Sequence, residues 1–475
     1  MAELGIILVI EGLLLGAVII LREPKLLVPC VVLMLPFEYL QTQTLDTLGK
    51  GGTGGMIRTM LNPGKAAMAA AVIAAAWRYR YEPGRLIPNS SIILPVFVLA
   101  GVVALAAAWS YTQRPDNTGL ILPLYVAFVC AAPALIDDRR DIERIAGALL
   151  LAVILVSLIA IAQRVLGLFA WRAYLINSDD FDYRSNGTFA DPNNLARFLN
   201  MGLVLAAGLI LVTGPRRLTV YLAIPAIVVG LPALMTTGSR SGWLGFVLAG
   251  FLIVLVAPVG WYPKLRLFGY GAAGLVGGIA LLGLQGGAEF DRIKTFTDIS
   301  ALLGQREHLI RAGWEMWKDS PYIGVGTGSY HNSLRTAYEW VLPWWTETTL
   351  SHTTVITFLA EGGLLAMAML GFVMVRVGIV MVRTYRSAEG AYAKLFIGWC
   401  GVSLFLIFMQ SQAEGRLMEE PYLWAIFGIF AAVELGKANR EPGEPEVVTP
   451  ERAPSAAPAA ALMGEPGLAR PASPA

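Results

Sequence analysis

The feature that most constrains this chain is a series of apolar runs, each about 17 or more residues long, that recurs from one end to the other. A run of that length crosses the ~30 Å hydrocarbon layer of a bilayer as an α-helix. Inside lipid, only helices and closed barrels satisfy their own backbone hydrogen bonds. A barrel would show segments of about ten residues with alternating hydrophobicity, and these runs do not alternate. The expected fold class is an all-α polytopic membrane protein with about 12–13 transmembrane helices and one long exterior loop late in the chain. Composition agrees. Of 475 residues, 56% are hydrophobic and only 15% charged, against roughly 25% charged in an ordinary soluble domain.

The expected spans are 3–21, 26–41, 64–80, 91–109, 119–136, 145–168, 195–213, 218–235, 242–259, 267–285, 352–375, 391–411 and 421–436. The connections between them alternate in charge. One set is basic: REPK at 22–25, RYRYEPGR at 78–85, RR at 139–140, PRR at 215–217, PKLR at 263–266 and RTYR at 383–386. The other set, 42–63, 110–118, 169–194, 236–241, 286–351 and 412–420, is sparse in Lys and Arg. Positive charge accumulates on the cytoplasmic side, so the basic set is cytoplasmic and the sparse set exterior. If 3–21 spans, the N-terminus is outside; if it is only interfacial, twelve helices remain with both ends inside.

Four regions follow: an N-terminal helix bundle over 1–285, an exterior loop with short helices over 286–351, C-terminal spanning helices over 352–436, and a cytoplasmic tail over 437–475. The tail is rich in Pro, Ala and Glu, a composition that cannot bury enough apolar surface to fold. The first run lacks a cleavage motif and is expected to be retained. Cys30, Cys130 and Cys400 each lie inside an apolar run, read as small core side chains. There is no CxxC and no zinc spacing. The net charge of +2 selects no partner, and no half-to-half repeat of the kind found in transporters is visible.

Three exterior stretches carry chemistry. The first is Arg184-Ser-Asn-Gly-Thr-Phe-Ala-Asp191-Pro192-Asn193-Asn-Leu-Ala196. Asp191 and Asn193 are good N-cap types and Pro192 suits a first turn. It is either an ordinary capped helix start or an anion site at a helix N-terminus, with Arg184 just upstream. The second is Thr236-Thr-Gly-Ser-Arg240-Ser-Gly-Trp243, which joins two apolar runs with almost no loop. Arg240 therefore sits at the membrane face. It either snorkels to lipid phosphate or binds a phosphate as a bidentate ligand.

The third is the long loop, which holds all three histidines, His308, His331 and His352, together with Arg306, Arg311 and Arg335. Residues 304–319 have helical spacing with Leu309, Ile310, Trp314 and Trp317 as apolar positions, and Pro321 ends the pattern. Gly324-Val-Gly-Thr-Gly328 is not a phosphate-binding P-loop; it reads as a tight turn under aromatic side chains. Tyr338, Trp340, Trp344 and Trp345 form either an interfacial belt or a sugar-stacking surface. His352, where the chain re-enters the membrane, is either a satisfied interfacial histidine or a base near neutral pH. The histidine spacing supports no metal site.

Taken together, the runs RSNGTFADPNNLA, TTGSRSGWLG, QREHLIRAGWEMWKDSPYIGVGTGSY and SHTTVITFLAEGGLL resemble the O-antigen ligase and Wzy-type polymerase superfamily of bacterial envelope glycan enzymes, over roughly residues 90–435. The resemblance implies a metal-independent glycosyltransferase without cofactor, in the bacterial inner membrane, with its site facing the periplasm. The donor is expected to be a glycan on undecaprenyl diphosphate. The acceptor is a lipid A-core, a glycan or a protein, membrane lipids surround the enzyme, and nucleic acid is no partner. By that resemblance Arg240, Arg306 and Arg184 hold the diphosphate and His352 is the catalytic base, with Arg311, His331 and Glu361 as secondary candidates. Many members have Asn after this histidine; here it is Thr353. A polymerase joining repeat units is the nearest alternative, and a flippase for lipid-linked sugars a more distant one.

Overall fold

A computed structural model describes residues 22–37, 63–108, 110, 118–168, 184–189, 191–213, 219–269, 271, 306–344, 351, 353–413, 415 and 417–441. The expected span 3–21, most of 267–285 and the tail beyond Glu441 lie outside them. Among the described residues the chain is helical with no strand, an all-α polytopic membrane protein.

The helices used below are α1 (Leu27–Met34), α2 (Pro63–Arg78), α3 (Ile93–Ala108), α4 (Thr118–Leu135), α5 (Arg139–Leu166), α6 (Pro192–Thr213), α7 (Ile224–Thr236), α8 (Arg240–Val256), α9 (Arg306–Asp319), α10 (Tyr330–Thr336), α11 (Thr354–Ser387), α12 (Ala391–Ser411) and α13 (Pro421–Glu434). Four of them, α5, α6, α11 and α12, are long and apolar enough to cross a membrane by length and composition, and several shorter apolar helices stand beside them.

Helix ends depart from hydropathy limits where capping decides them. The α5 helix begins at Arg139, ahead of the apolar run, because the Asp138 carboxylate accepts the Arg140 and Asp141 N–H groups at 2.8 and 3.2 Å and so caps the first turn. At the other extreme α11 continues well past 375 to Ser387, carrying Arg376, Arg383 and Arg386 as helix. Hydropathy reports where lipid ends; a helix ends only where its backbone is capped or broken.

The α6 helix is central, packed against α5, α7, α8 and α12. Its approach to α5 requires Gly202, where a Cβ would lie 2.2 Å from a methyl of Val153. Small residues at crossings are how membrane helices gain packing without a solvent driving force. The buried Trp399 indole N–H finds a partner at depth, donating to Met201 O at 3.0 Å.

The bundle has two distinguishable ends. At one, Gln163 near the end of α5 donates to Gly187 O at 2.9 Å. At the other, about 40 Å away by the length of α5, Asp137 accepts from Lys25 at 2.7 Å and Arg78 at 3.0 Å. Residues 437–441 dock at this second end: Lys437 Nζ donates to Pro133 O at 2.7 Å, and Arg139 N–H to Arg440 O at 3.0 Å.

Candidate functional site

The two runs that carry Arg184 and Arg240 are far apart in sequence and fold into one structure. Between α7 and α8 the chain reverses in three residues. Gly238 takes φ +57°, and a Cβ there would come within 3.2 Å of the Arg184 Cγ. Only glycine meets both demands, a left-handed backbone and the guanidinium stem lying across it. Ser239 then caps α8, its hydroxyl accepting the Gly242 N–H at 3.1 Å. That leaves Arg240 as the first residue of α8.

Arg184 is clamped from both runs. Its Nε donates to Thr237 O at 2.7 Å and a terminal nitrogen to Asn193 Oδ1 at 3.1 Å. The same Asn193 oxygen accepts the Ser239 hydroxyl at 2.7 Å. Asn193 therefore ties the start of α6 to the start of α8, while Asp191 accepts the Asn193 N–H at 2.7 Å and begins α6 as its spacing predicts. The bonds to Thr237 and Asn193 go to neutral acceptors and fix the guanidinium's orientation. Two half-buried arginines and two helix N-termini thus share one place, and both the charge and the N-terminal dipoles favour an anion there.

More helix N-termini converge on this end. Gln410, near the end of α12, donates to Ser241 O at 3.3 Å. Its neighbour Ser411 accepts the Thr354 hydroxyl at 3.0 Å, which places the start of α11 beside the start of α8. The α13 helix also starts here: Glu420, its N-cap residue, pairs with Arg197, one turn into α6 and 1% exposed. This pair is not among the residues singled out from the sequence. Its signals were an arginine set in the apolar run LARFLNMGL and an acidic pair just before Pro421.

His352 lies outside the described residues. Its neighbours do not: Ser351 is buried, and its hydroxyl shares a 2.8 Å hydrogen bond with Thr357 and donates to Thr353 O at 2.8 Å. Arg306 is the first residue of α9. A Cβ on Gly313 of α9 would meet Ile356, and Leu364 N–H donates to Pro321 O at 2.9 Å. The α9 strand of chain and α11 therefore advance in the same direction, which puts Arg306 at the end where α11 begins. Arg311 is exposed on α9, His331 half-buried beside Tyr330, and Glu361 half-buried on α11.

The loop over 306–344 is keyed to α11 by a break in that helix. Gly363 has φ +61° and ψ −161°, which frees backbone groups on both sides. Each is taken up by the loop. Ala360 O and Glu361 O accept from Val325 and Gly326 N–H, both at 2.9 Å; Leu364 and Leu365 N–H donate to Pro321 O and Tyr322 O at 2.9 and 3.1 Å. Glu361 adds a side-chain tie, accepting the Tyr330 N–H at 3.0 Å. Burial, with the Glu361 charge second, pushes the Tyr330 phenol well above its usual range, so it stays a hydrogen-bond donor to Leu309 O.

Two expectations about this loop need correction. The buried face of α9 is Leu309, Ala312, Gly313 and Met316, with Trp314 exposed. Close approach to α11 demands small residues, so the tryptophans flank the contact and meet each other tilted by 49°, at 4.5 Å between ring centroids. Tyr338 is no surface aromatic: it is buried and donates to Asp319 Oδ2 at 2.6 Å. Trp340 and Trp344 are exposed.

An apolar groove of about 310 Å³ opens between α6, α7 and α8, walled by Leu203, Ile227, Leu231, Phe246 and Phe251. Leu203 lies about 15 Å along α6 from Asn193, so the groove runs inward from the arginine end. Among the described residues no three His, Cys, Asp or Glu side chains converge as a metal would need.

Residues 225–371 match a family model described as O-antigen ligase. No curated protein matches the chain.

Proposed function

From the match of residues 225–371 to a family model described as O-antigen ligase, we propose that the protein transfers a glycan from a polyprenyl-diphosphate carrier, undecaprenyl diphosphate by resemblance, to an acceptor hydroxyl at the exterior face of a bacterial inner membrane. The observation that carries this reading is the clamp joining Arg184, Asn193 and Ser239 beside Arg240. A diphosphate needs concentrated, fixed positive charge at headgroup level; an apolar groove leading inward from that point suits a prenyl tail.

In this reading Arg240 and Arg184 grip the diphosphate, and Arg306 approaches from the loop. His352 accepts the proton of the acceptor hydroxyl as its oxygen attacks the anomeric carbon. The bond from that carbon to the diphosphate oxygen breaks, and the diphosphate leaves with the electron pair and with inversion. Guanidinium groups preset in a low-dielectric site oppose the charge that builds on the leaving group, a contribution that commonly amounts to several kcal/mol. No metal takes part. Arg240→Ala and His352→Ala should each abolish transfer in cells while the protein still inserts at normal level. Unaltered envelope glycan on gels from both strains would refute the assignment. The same gels separate ligase from polymerase: loss of all attached glycan marks the ligase, loss of long chains alone the polymerase.

A further inference from the structure

Three polar residues in succession, Gln410, Ser411 and Gln412, stand at the end of the apolar helix α12. They turn to two different helix starts. Gln410, 3% exposed, donates its amide N–H to Ser241 O, one residue after Arg240 in α8, at 3.3 Å. The first turns of α8 leave room for it: a Cβ at Gly245 would stand 2.6 Å from Gln410 Nε2. Gln412 faces α11 instead. Its Oε1 accepts the Val355 N–H at 3.4 Å, while its Nε2 donates to Phe408 O at 3.1 Å. One amide thus joins the end of α12 to the start of α11. Ser411 O accepts the buried Thr354 hydroxyl at 3.0 Å beside it. The α11 helix needs such partners, because its leading N–H groups have none within the helix and its N-cap residue Thr353 makes no side-chain cap bond.

We propose that Gln410, Ser411 and Gln412 are positioning residues that set the start of α8, with Arg240, against the start of α11, which follows His352 in the chain by two residues. The inference rests on the glycan-transfer reading and adds to it what registers the donor site against the base. The clamp of Arg184, Asn193 and Ser239 ties α6 to α8 and contains no residue of α11. The α8 and α11 helices each pack on α12, and far less on one another. Their relation therefore passes through the end of α12. Stability does not explain Gln410. Ser241 O lies inside α8, where the helix ladder supplies a partner, so the carbonyl would not be orphaned without the glutamine. One such hydrogen bond adds only about 1 kcal/mol net. Reacting groups misplaced by about 1 Å can lose about 10²-fold in rate, so the weight of this contact falls on geometry.

The test separates position from scaffold. Gln410→Met keeps the length of the side chain and removes its donor. Gly245→Ala leaves all three residues in place and drives a methyl against the Gln410 amide. Each full-length variant is purified in detergent, melted, and titrated with undecaprenyl diphosphate; transfer is read from envelope glycan in cells at matched protein level. Both variants should melt and bind undecaprenyl diphosphate as the wild type does, and should lose transfer by about tenfold or more. If Gln410→Met melts low, Gly245→Ala decides by the same criteria. Unchanged transfer in both would overturn the proposal. So would a loss of transfer matched in both by a fall in melting temperature or in diphosphate affinity, which would make the contact part of the scaffold or of the donor site. A wild-type protein that does not bind undecaprenyl diphosphate, or normal transfer by Arg240→Ala, defeats the donor reading instead. Wild-type binding with normal transfer by the two variants defeats the positioning role alone.

Discussion

Lys25, Arg78 and Arg184 are held in different ways at the two ends of the helix bundle. At the end formed by Lys25, Arg78 and the α4–α5 turn, positive charges meet carboxylates: Lys25 and Arg78 share Asp137, Arg144 pairs with Asp141, and Arg139 pairs with Glu143 and Glu441. At the α6–α8 end, Arg184 is held by a backbone carbonyl and an amide oxygen. Carboxylates neutralise a cation and make it part of the scaffold. Neutral acceptors fix its orientation. The buried Arg197–Glu420 pair puts the carboxylate device on the arginine side as well, where it secures α13 to α6.

The sharpest way to break this comparison is to delete one arginine from each end. Arg184→Ala should reduce transfer by about 10²-fold, the usual cost of losing one preorganised charge-stabilising group, with the protein still monodisperse. Arg78→Ala should leave transfer unchanged and lower thermal stability by no more than about 1 kcal/mol, since its ion pair is partly exposed. Equal loss of transfer in both variants would erase the distinction between a scaffold end and a ligand end.

The next effect is on the keyed loop. A Cβ at Gly363 would sit 2.4 Å from the Tyr322 carbonyl carbon in a left-handed backbone. Gly363→Ala should cost about 1–3 kcal/mol in strain and should reduce transfer further by releasing the 321–326 segment from α11. Proteolysis of the loop in the purified variant is the check, with faster cleavage expected. Unchanged cleavage and activity would mean that the break in α11 does not hold the loop.

The smallest effect concerns pH at the opposite end. Burial alone would raise the Asp137 carboxyl, but hydrogen bonds from Lys25 and Arg78 hold it below its usual value. Its contribution to stability is therefore present above the ordinary carboxylate range near 4 and is lost as pH falls through the lowered folded value. Asp137→Asn should remove that part of the acid dependence of thermal unfolding, and transfer at neutral pH should stay as it was.

Much of the helical layout was legible before the structure. Runs such as 391–411 coincide with α12 because the apolar length a bilayer demands is written directly in composition. Asp191, Pro192 and Asn193 marked the start of α6 because capping is local chemistry. The facing of α9 was not legible: Trp314 and Trp317 are its largest side chains, yet contact with α11 selects Ala312 and Gly313. The Arg197–Glu420 pair was equally hidden, since its members lie 223 residues apart.

Sequence by itself determined that the chain is a helical membrane protein and that Arg184 and Arg240 lie in connections next to helix ends, because span length, charge distribution and caps act over a turn or two. It also carried the family likeness, three of whose four motifs fall inside the matched stretch 225–371. Only the tertiary structure decided that the fourth motif, with Arg184 and Asn193, closes onto Ser239 next to Arg240. That meeting depends on α6 and α8 packing close enough for one amide oxygen to receive hydrogen bonds from both Arg184 and Ser239, a distance relation that no local pattern encodes.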